Sequence, residues 1–357
     1  MRKWGVILCV AVLSTLLCAC SADNVNKPES QGNSETEPAA LSVADYFPAN
    51  ENTRLTYQGE GNEYASYAVY TDYAKDDRLQ QRISSGGTDI ARVVEVTKDH
   101  AAVILAQGEV YYRQNMLDMA DSTPEILLKM PLEAGTGWIA GGGRIRTITG
   151  VGVQVETPAG IYDAIEVTTE GPYGKTVDYY AENVGLIKTM YVSEGGSVTS
   201  ILAQIEDDVP LMQTIRFYYP KADIGKIGYI DRNVLFYTND ISRVILAEAY
   251  KEPPAGSLGQ VFSSGTQINS LYLNRDGMVY IDLNKAFQKE MNTGATYEQM
   301  ILQSVANTFG HYYGVPRVML TVDGQPYESG HIAMQPGEYL TVDDERVSPA
   351  MARTDGE

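Results

Sequence analysis

From Leu41 to Glu206 the chain never sustains an apolar period of 3.6 residues, and this restricts the segment to β-structure. Short alternating runs at Arg54 to Tyr57, Tyr64 to Tyr73, Ala91 to Val96, Ala101 to Leu105 and Ile161 to Thr168 read as strands. Lys98-Asp99-His100, Gly141-Gly142-Gly143, Pro158-Ala159-Gly160 and Glu194-Gly195-Gly196 read as the turns between them. Pro124 to Met130 is at most a short helix. The pattern predicts a meandering antiparallel sheet, curved or partly closed, with one packed and one wet face, over residues 41–206.

The acidic, proline-terminated break Glu206-Asp207-Asp208-Val209-Pro210 ends that grammar. Thr214 to Tyr219 and Ile227 to Tyr237 read as strands. Ile241, Val244, Ile245 and Ala249 have helical spacing behind Asn239 or Asp240 as N-cap, and Pro253-Pro254 end the helix. Strands at Gln267 to Leu273 and Met278 to Leu283 flank the turn Asn274-Arg275-Asp276-Gly277. A second helix opens at the capping box Thr296-Tyr297-Glu298-Gln299 and stops at Gly314. Val315 to Val322 is a last strand, bent back by Asp323-Gly324. The expected class is α+β: the sheet domain, then a ββαββαβ domain at 211–341 and a polar tail at 342–357.

All three cysteines, Cys9, Cys18 and Cys20, lie in the first twenty residues. The remainder has no thiol for a disulfide or a metal thiolate and must rely on ordinary hydrophobic cores. Arg2 and Lys3 followed by the apolar run Trp4 to Leu17 form a short export-type segment. Its end, Leu17-Cys18-Ala19-Cys20, resembles a bacterial lipoprotein signal, which implies cleavage before Cys20 and acylation of that residue. Membrane lipid would then be one partner, held through Cys20. Residues 21–40, rich in Ser, Asn, Glu and Pro, cannot bury enough surface to fold and are expected to form a disordered tether reaching about 25 Å.

A formal charge of −19 repels nucleic acid and anionic headgroups alike, so neither is expected as a partner. Tyrosine outnumbers phenylalanine 25 to 6, which suits half-exposed sheet faces where a ring packs and its hydroxyl stays wet.

Several phrases of the first half resemble a sheet module of exported bacterial lipoproteins: Asp45-Tyr46-Phe47-Pro48, Pro131 to Trp138, Thr157 to Ala164 and Tyr179 to Lys188. That resemblance implies a fold and no activity. Trp138, after a Gly-x-Gly turn, is placed to plug the end of a sheet. The second half resembles the GerMN family. The matching phrases are Phe217-Tyr218-Tyr219, Ser264 to Ile268, Gly277 to Phe287, Ser304 to Phe309 and Val315 to Pro326, within Thr214 to Leu340. The family implies a small α+β unit of envelope lipoproteins, related to ring-building folds of secretion and sporulation assemblies. A sporulation member carries a tandem pair, and this chain one copy.

The mature chain holds His100, His311 and His331, none spaced as a zinc helix requires. Ser84-Ser85-Gly86-Gly87 and Ser263-Ser264-Gly265 lack a nucleophile elbow, and Gly141-Gly142-Gly143 lacks the Lys-Ser/Thr of a phosphate loop. Asn274 to Gly277 with Asp282 is too short for a calcium loop. No cofactor and no metal is expected, and no catalytic residue is assigned. The first reading is a non-catalytic, lipid-anchored interaction protein that engages an envelope protein through strands or a tyrosine-bearing helix face, with Tyr218, Tyr219, Tyr312 and Tyr313 as contact residues. The alternatives are a carrier of an apolar or glycan ligand inside the curved sheet and, more weakly, a wall hydrolase using a carboxylate pair.

Overall fold

The computed structural model describes residues 41–120, 123–252, 254 and 256–348. The signal, Cys20, the tether, Pro253 and the tail beyond Ser348 fall outside the described residues.

The first half forms twelve antiparallel strands: β1 (Arg54–Glu60), β2 (Tyr67–Lys75), β3 (Arg78–Ser85), β4 (Asp89–Val96), β5 (His100–Gly108), β6 (Glu125–Lys129), β7 (Gly137–Ile139), β8 (Ile145–Thr157), β9 (Gly160–Gly171), β10 (Gly174–Ala181), β11 (Gly185–Ser193) and β12 (Gly196–Glu206). Their spatial order is β6-β5-β4-β3-β2-β1-β12-β11-β10-β9-β8-β7. The edge strands β6 and β7 are thus neighbours in sequence, joined by residues 130–136, which span about 25 Å at full stretch. Such a short link forces the sheet to curl until its edges meet.

Side chains close the slit. Trp138 Nε1 donates to Ile126 O at 3.1 Å, Arg146 donates to the same carbonyl and pairs with Glu125 at 3.1 Å, and Gly141 N–H donates to Glu125 Oε2 at 2.6 Å. The expected plugging role of Trp138 takes this form. Glu125–Lys129, read as at most a short helix, is a strand because it forms one lip of the slit and pairs with β5.

β3 has no clear apolar alternation in sequence, because its buried outer face is polar. Arg78, Gln80 and Arg82 share that face at the period of two. Arg78 donates to Leu117 O at 2.8 Å, Gln80 donates to Gln114 O at 2.9 Å and accepts from Met116 N–H at 2.6 Å, and Arg82 reaches Val110 O and Tyr112 O. They stitch the β5–β6 connection along the outside of the sheet.

The second half comprises the hairpin β13 (Leu211–Lys221) and β14 (Lys226–Phe236), then α1 (Ser242–Lys251), β15 (Ile268–Leu273), β16 (Val279–Leu283), α2 (Ala286–Lys289), α3 (Ala295–Tyr313), β17 (Arg317–Val322), β18 (Gln325–Pro326) and β19 (Leu340–Thr341). β16 and β17 are parallel across the α3 crossover, and the α+β class holds. α3 ends where Gly314 takes a left-handed φ of 68°, as a helix C-terminus favours glycine to do. Neither expected helix start is met. Asn239 and Asp240 spend their side chains on Ala74 N–H and Tyr237 N–H, so α1 begins at Ser242. Gly294 is the N-cap of α3, and Thr296 lies inside the first turn.

The largest core is continuous across the break at 206–210. It joins Tyr73, Val93, Ile104 and Met116 of the first half to Phe217, Phe236, Tyr250, Val305 and Phe309 of the second. At its margin sits a buried charge network. Arg82 Nη2 lies 2.9 Å from Asp72 Oδ2, and Arg113 Nε lies 3.6 Å from Asp72 Oδ1, all three side chains being at most 1 % exposed. Arg113 also donates to the carbonyls of Asp240 (2.6 Å), Tyr237 (2.8 Å) and Asp72, and its guanidinium lies over the Tyr73 and Phe236 rings. Arg113 Nε makes no hydrogen bond and faces Asp72 only as a charge, but the other guanidinium nitrogens are held by carbonyls of both halves, so the acidic break is bridged by a locked joint.

Candidate functional site

The β13–β14 hairpin is where the expected contact residues meet. Phe217 and Tyr219 point into the core from one face, while Tyr218 turns to the other and stacks on His311 at 5.2 Å. Tyr218, Tyr219 and Tyr313 are 3 %, 0 % and 5 % exposed. Tyr312 lies in the internal joint, accepting from Arg113 N–H at 2.9 Å and donating to Gln213 Oε1 at 3.2 Å. The expectation that these four tyrosines meet a partner is corrected: burial commits their rings to the molecule's own interior. Burial also pushes the hydroxyls of Tyr312, Tyr313 and Tyr250 well above the usual tyrosine range, so all three stay protonated.

What covers the outer edge of β13 is a ring of hydroxyls from two helices. Tyr218 N–H donates to Thr308 Oγ1 (2.9 Å), Thr308 donates to the Tyr250 hydroxyl (3.0 Å), and Tyr250 donates to Tyr218 O (2.6 Å). Side chains of α3 and α1 here replace a neighbouring strand, which satisfies a buried peptide unit that would otherwise be orphaned. Gly259 N–H takes the next outward carbonyl, Pro220 O, at 2.8 Å.

β14 is treated differently along its free edge. Tyr218 faces Tyr229 in the ladder and directs its own backbone groups away from β14, so the outward-facing residues of β14 are Ile227, Tyr229, Asp231, Asn233 and Leu235. Ile227 is taken in parallel by the chain's own 346–348 segment, through Ile227 N–H to Arg346 O (3.0 Å) and Ser348 N–H to Ile227 O (2.8 Å). Beyond it, the outward backbone groups of Tyr229, Asp231, Asn233 and Leu235 have no hydrogen-bond partner among the described residues. Above this edge the hairpin shows an open face built of cross-strand pairs. These are Met212 with Leu235, Thr214 bonded to Asn233 (2.9 Å), and Arg216 forked onto Asp231 (2.7 and 2.9 Å) while lying 3.9 Å over Tyr229. The Arg216 fork holds the Asp231 carboxyl below its usual range.

The histidines stand apart. His100 Nδ1 lies 3.3 Å from Thr97 Oγ1 in a turn, His311 Nε2 lies 2.9 Å from Asp344, and His331 Nδ1 lies 2.8 Å from Glu298, which also accepts from Tyr327 at 2.7 Å. Ser329, beside His331, accepts two backbone N–H groups of its own turn, a structural use of the hydroxyl. Asp276 and Asp282, considered for calcium, serve separate partners. Asp276 binds Met278 N–H and Tyr280, and Asp282 binds Thr321, Gly324 N–H and Asn269. Among the described residues no helix is long and apolar enough to cross a membrane.

Among solved structures, the chain is similar to a protein described as exported, with a YmcC-like fold, from Bacteroides fragilis NCTC 9343. The identity is 13 %, the match covers 45 % of this chain and 98 % of that one, and the TM-score is 0.31. It is similar as well to the tandem GerMN domains of the sporulation protein GerM from Bacillus subtilis, at 18 % identity over 35 % of this chain and 45 % of that one, with a TM-score of 0.26. A third, described as a lipoprotein from Clostridium perfringens, shows 19 % identity over 37 % of this chain and 87 % of that one, with a TM-score of 0.24. No curated protein matches the chain. The model of the Germane family, described as sporulation and spore germination, matches residues 216–328, from Arg216 on β13 to just past β18. The second half of this chain therefore carries a Germane domain of the GerMN type.

Proposed function

We propose that this is a lipid-anchored, non-catalytic component of the bacterial cell envelope whose Germane domain docks an extended strand of another envelope protein along β14. The observation that carries the reading is the open edge from Tyr229 to Leu235, in line with a parallel strand that the chain already seats at Ile227. Main-chain pairing on such an edge supplies affinity, and the outward pairs Thr214–Asn233 and Arg216–Asp231 supply selectivity. The locked joint makes the sheet domain a rigid handle, and acylated Cys20 would hold the whole at the membrane surface, where high local concentration replaces tight intrinsic affinity. The family description supports sporulation or germination as the process served.

The test places a photo-crosslinking residue singly at Leu235, Ile224 or Ile139 of the full-length protein in its native host, with and without Asn233→Pro. Proline at 233 removes an outward N–H and leaves the β13 ladder intact. The reading expects one defined envelope-protein adduct from Leu235 that Asn233→Pro abolishes, with stability changed by no more than about 0.5 kcal/mol. Equal adducts from all three positions, or an adduct at Leu235 that survives the proline, would overturn it.

A further inference from the structure

The sequence offers the curved sheet as a carrier of an apolar or glycan ligand, and its interior leaves such a ligand little room. Two apolar clusters occupy most of it, one around Trp138, Ile148, Val167 and Tyr180 and the other around Leu55, Val69, Ile187 and Leu202. Between them lies a cavity of about 170 Å³. That volume is too small for a lipid chain or an oligosaccharide, for which ligand pockets run from about 300 Å³ upward.

Its lining mixes aliphatic and aromatic side chains with two charged ones, Arg92 and Asp178. Arg92 enters from β4 and Asp178 from β10, strands six places apart in the sheet order, so the two face each other from opposite walls. Arg92 spends two N–H groups on Gln81 Oε1 (3.0 and 2.8 Å), and Asp178 accepts the Thr189 hydroxyl at 2.6 Å. Neither forms an ion pair among the described residues, although each lies within the other's field. Tyr57 and Tyr67 stack at 4.5 Å to make one wall. The Tyr67 and Tyr180 hydroxyls have no hydrogen-bond partner among the described residues, and Tyr180 is only 4 % exposed. Burial raises the Asp178 carboxyl above its usual range against the opposing pull of Thr189, Arg146 and Arg92, and pushes the Tyr67 hydroxyl up to about 12. Arg92 and Asp178 are half-buried, and a scaffold that needed only a core would place apolar groups at these two positions as well, since charge facing apolar side chains is costly.

We propose that this cavity is a binding site for a small zwitterion of amino-acid size, with Arg92 receiving the carboxylate, Asp178 the ammonium, and the Tyr67 and Tyr180 hydroxyls the remaining hydrogen bonds. Charges on opposite walls select a ligand carrying both signs a few ångströms apart, and the volume admits one of glycine to alanine size. Solvated single ions lack one of the two partners. This inference stands apart from strand docking, which uses the outer edge of a different domain.

The test is titration of the full folded protein with glycine, L-alanine and D-alanine, read by thermal shift and calorimetry, with acetate and methylammonium as single-charge controls. At least one zwitterion is expected to bind saturably with a Kd tighter than about 10 mM and to raise the melting temperature, the controls binding at least tenfold more weakly. Asp178→Asn and Arg92→Gln should each weaken that affinity at least tenfold. Tyr67→Phe, which keeps the stacked ring, should weaken it about threefold and guards against variants that fail to fold. No saturable binding by any of the three, equal binding of the controls, or a high-resolution structure with the zwitterion that shows only ordered water between Arg92 and Asp178 would overturn the proposal.

Discussion

The two faces of the curved sheet carry charge in opposite states, on different strands. On the outer face of β2 and β3, Asp72, Arg82 and the incoming Arg113 are packed against one another, and the two arginines donate to five carbonyls. On the inner face, Arg92 and Asp178 are held apart across a cavity, each with one neutral partner. The outer set is paired charge to charge and reads as structure. The inner set pays a desolvation cost that no internal ion pair offsets, which is the usual mark of a group kept for a ligand.

The sharpest way to break that contrast is to empty the outer set. Arg113→Met keeps the volume but leaves Asp240 O without its donor, strips one hydrogen bond each from Tyr237 O and Asp72 O, and removes one of the two cations facing Asp72, a loss expected at about 3–5 kcal/mol. It should also uncouple the halves. Trp138 is the one tryptophan outside the signal and reports on the sheet domain, whereas the three α-helices of the described residues all belong to the second half. Urea unfolding followed by tryptophan fluorescence and by helical circular dichroism should coincide in the wild type and separate in the variant. Coincident curves in Arg113→Met would show that the shared apolar core alone couples the domains.

How much of this was legible in sequence depends on whether a residue acts through its own neighbours or through distant ones. Alternation located β1, β2, β4, β5 and β9, and Gly314 stopped α3 where expected, because period and φ are local properties. β3 was missed because the apolar rule looks for hydrophobic burial and this strand buries Arg78, Gln80 and Arg82 instead. The tyrosines of β13 and α3 were read as a contact surface because a hydroxyl suggests water, yet Arg113 N–H and Gln213 partner the Tyr312 hydroxyl and Arg232 donates to that of Tyr219, all within the molecule. Arg92 and Asp178, 86 positions apart and unremarkable in their strands, converge only when the sheet closes. No signal short of the strand order could have found them.

A milder perturbation compares charged with neutral saturation. Thr308→Val removes the acceptor of Tyr218 N–H and leaves that buried donor orphaned, a cost of about 1–3 kcal/mol. Tyr250→Phe removes the donor to Tyr218 O from the same ring and should cost a similar amount. Because the three bonds form one circuit, the double variant should lose clearly less than the two single losses combined, as a double-mutant cycle in urea would show. Full additivity would mean the hydroxyls act independently and that the outer edge of β13 is covered by packing alone.

The smallest expected effect has the opposite sign and is the most discriminating. Burial raises the folded-state pKa of Asp178 above its unfolded value of about 3.9, so ionisation costs stability at any pH above that value, and the cost disappears below it, where both states are protonated. The charged groups bearing on it, Arg92 and Arg146, reduce this penalty without cancelling it, and Tyr67 and Tyr180 remain neutral throughout the range. Asp178→Asn preserves an acceptor for the Thr189 hydroxyl and should raise the melting temperature by about 2 °C at pH 7, a gain near 1 kcal/mol, and by nothing measurable at pH 3. At Asp72, whose carboxylate already has Arg82 and Arg113, the same change to Asn should lower stability at pH 7. If both substitutions destabilise, Asp178 is as fully compensated as Asp72, and the contrast between the two faces of the sheet is gone.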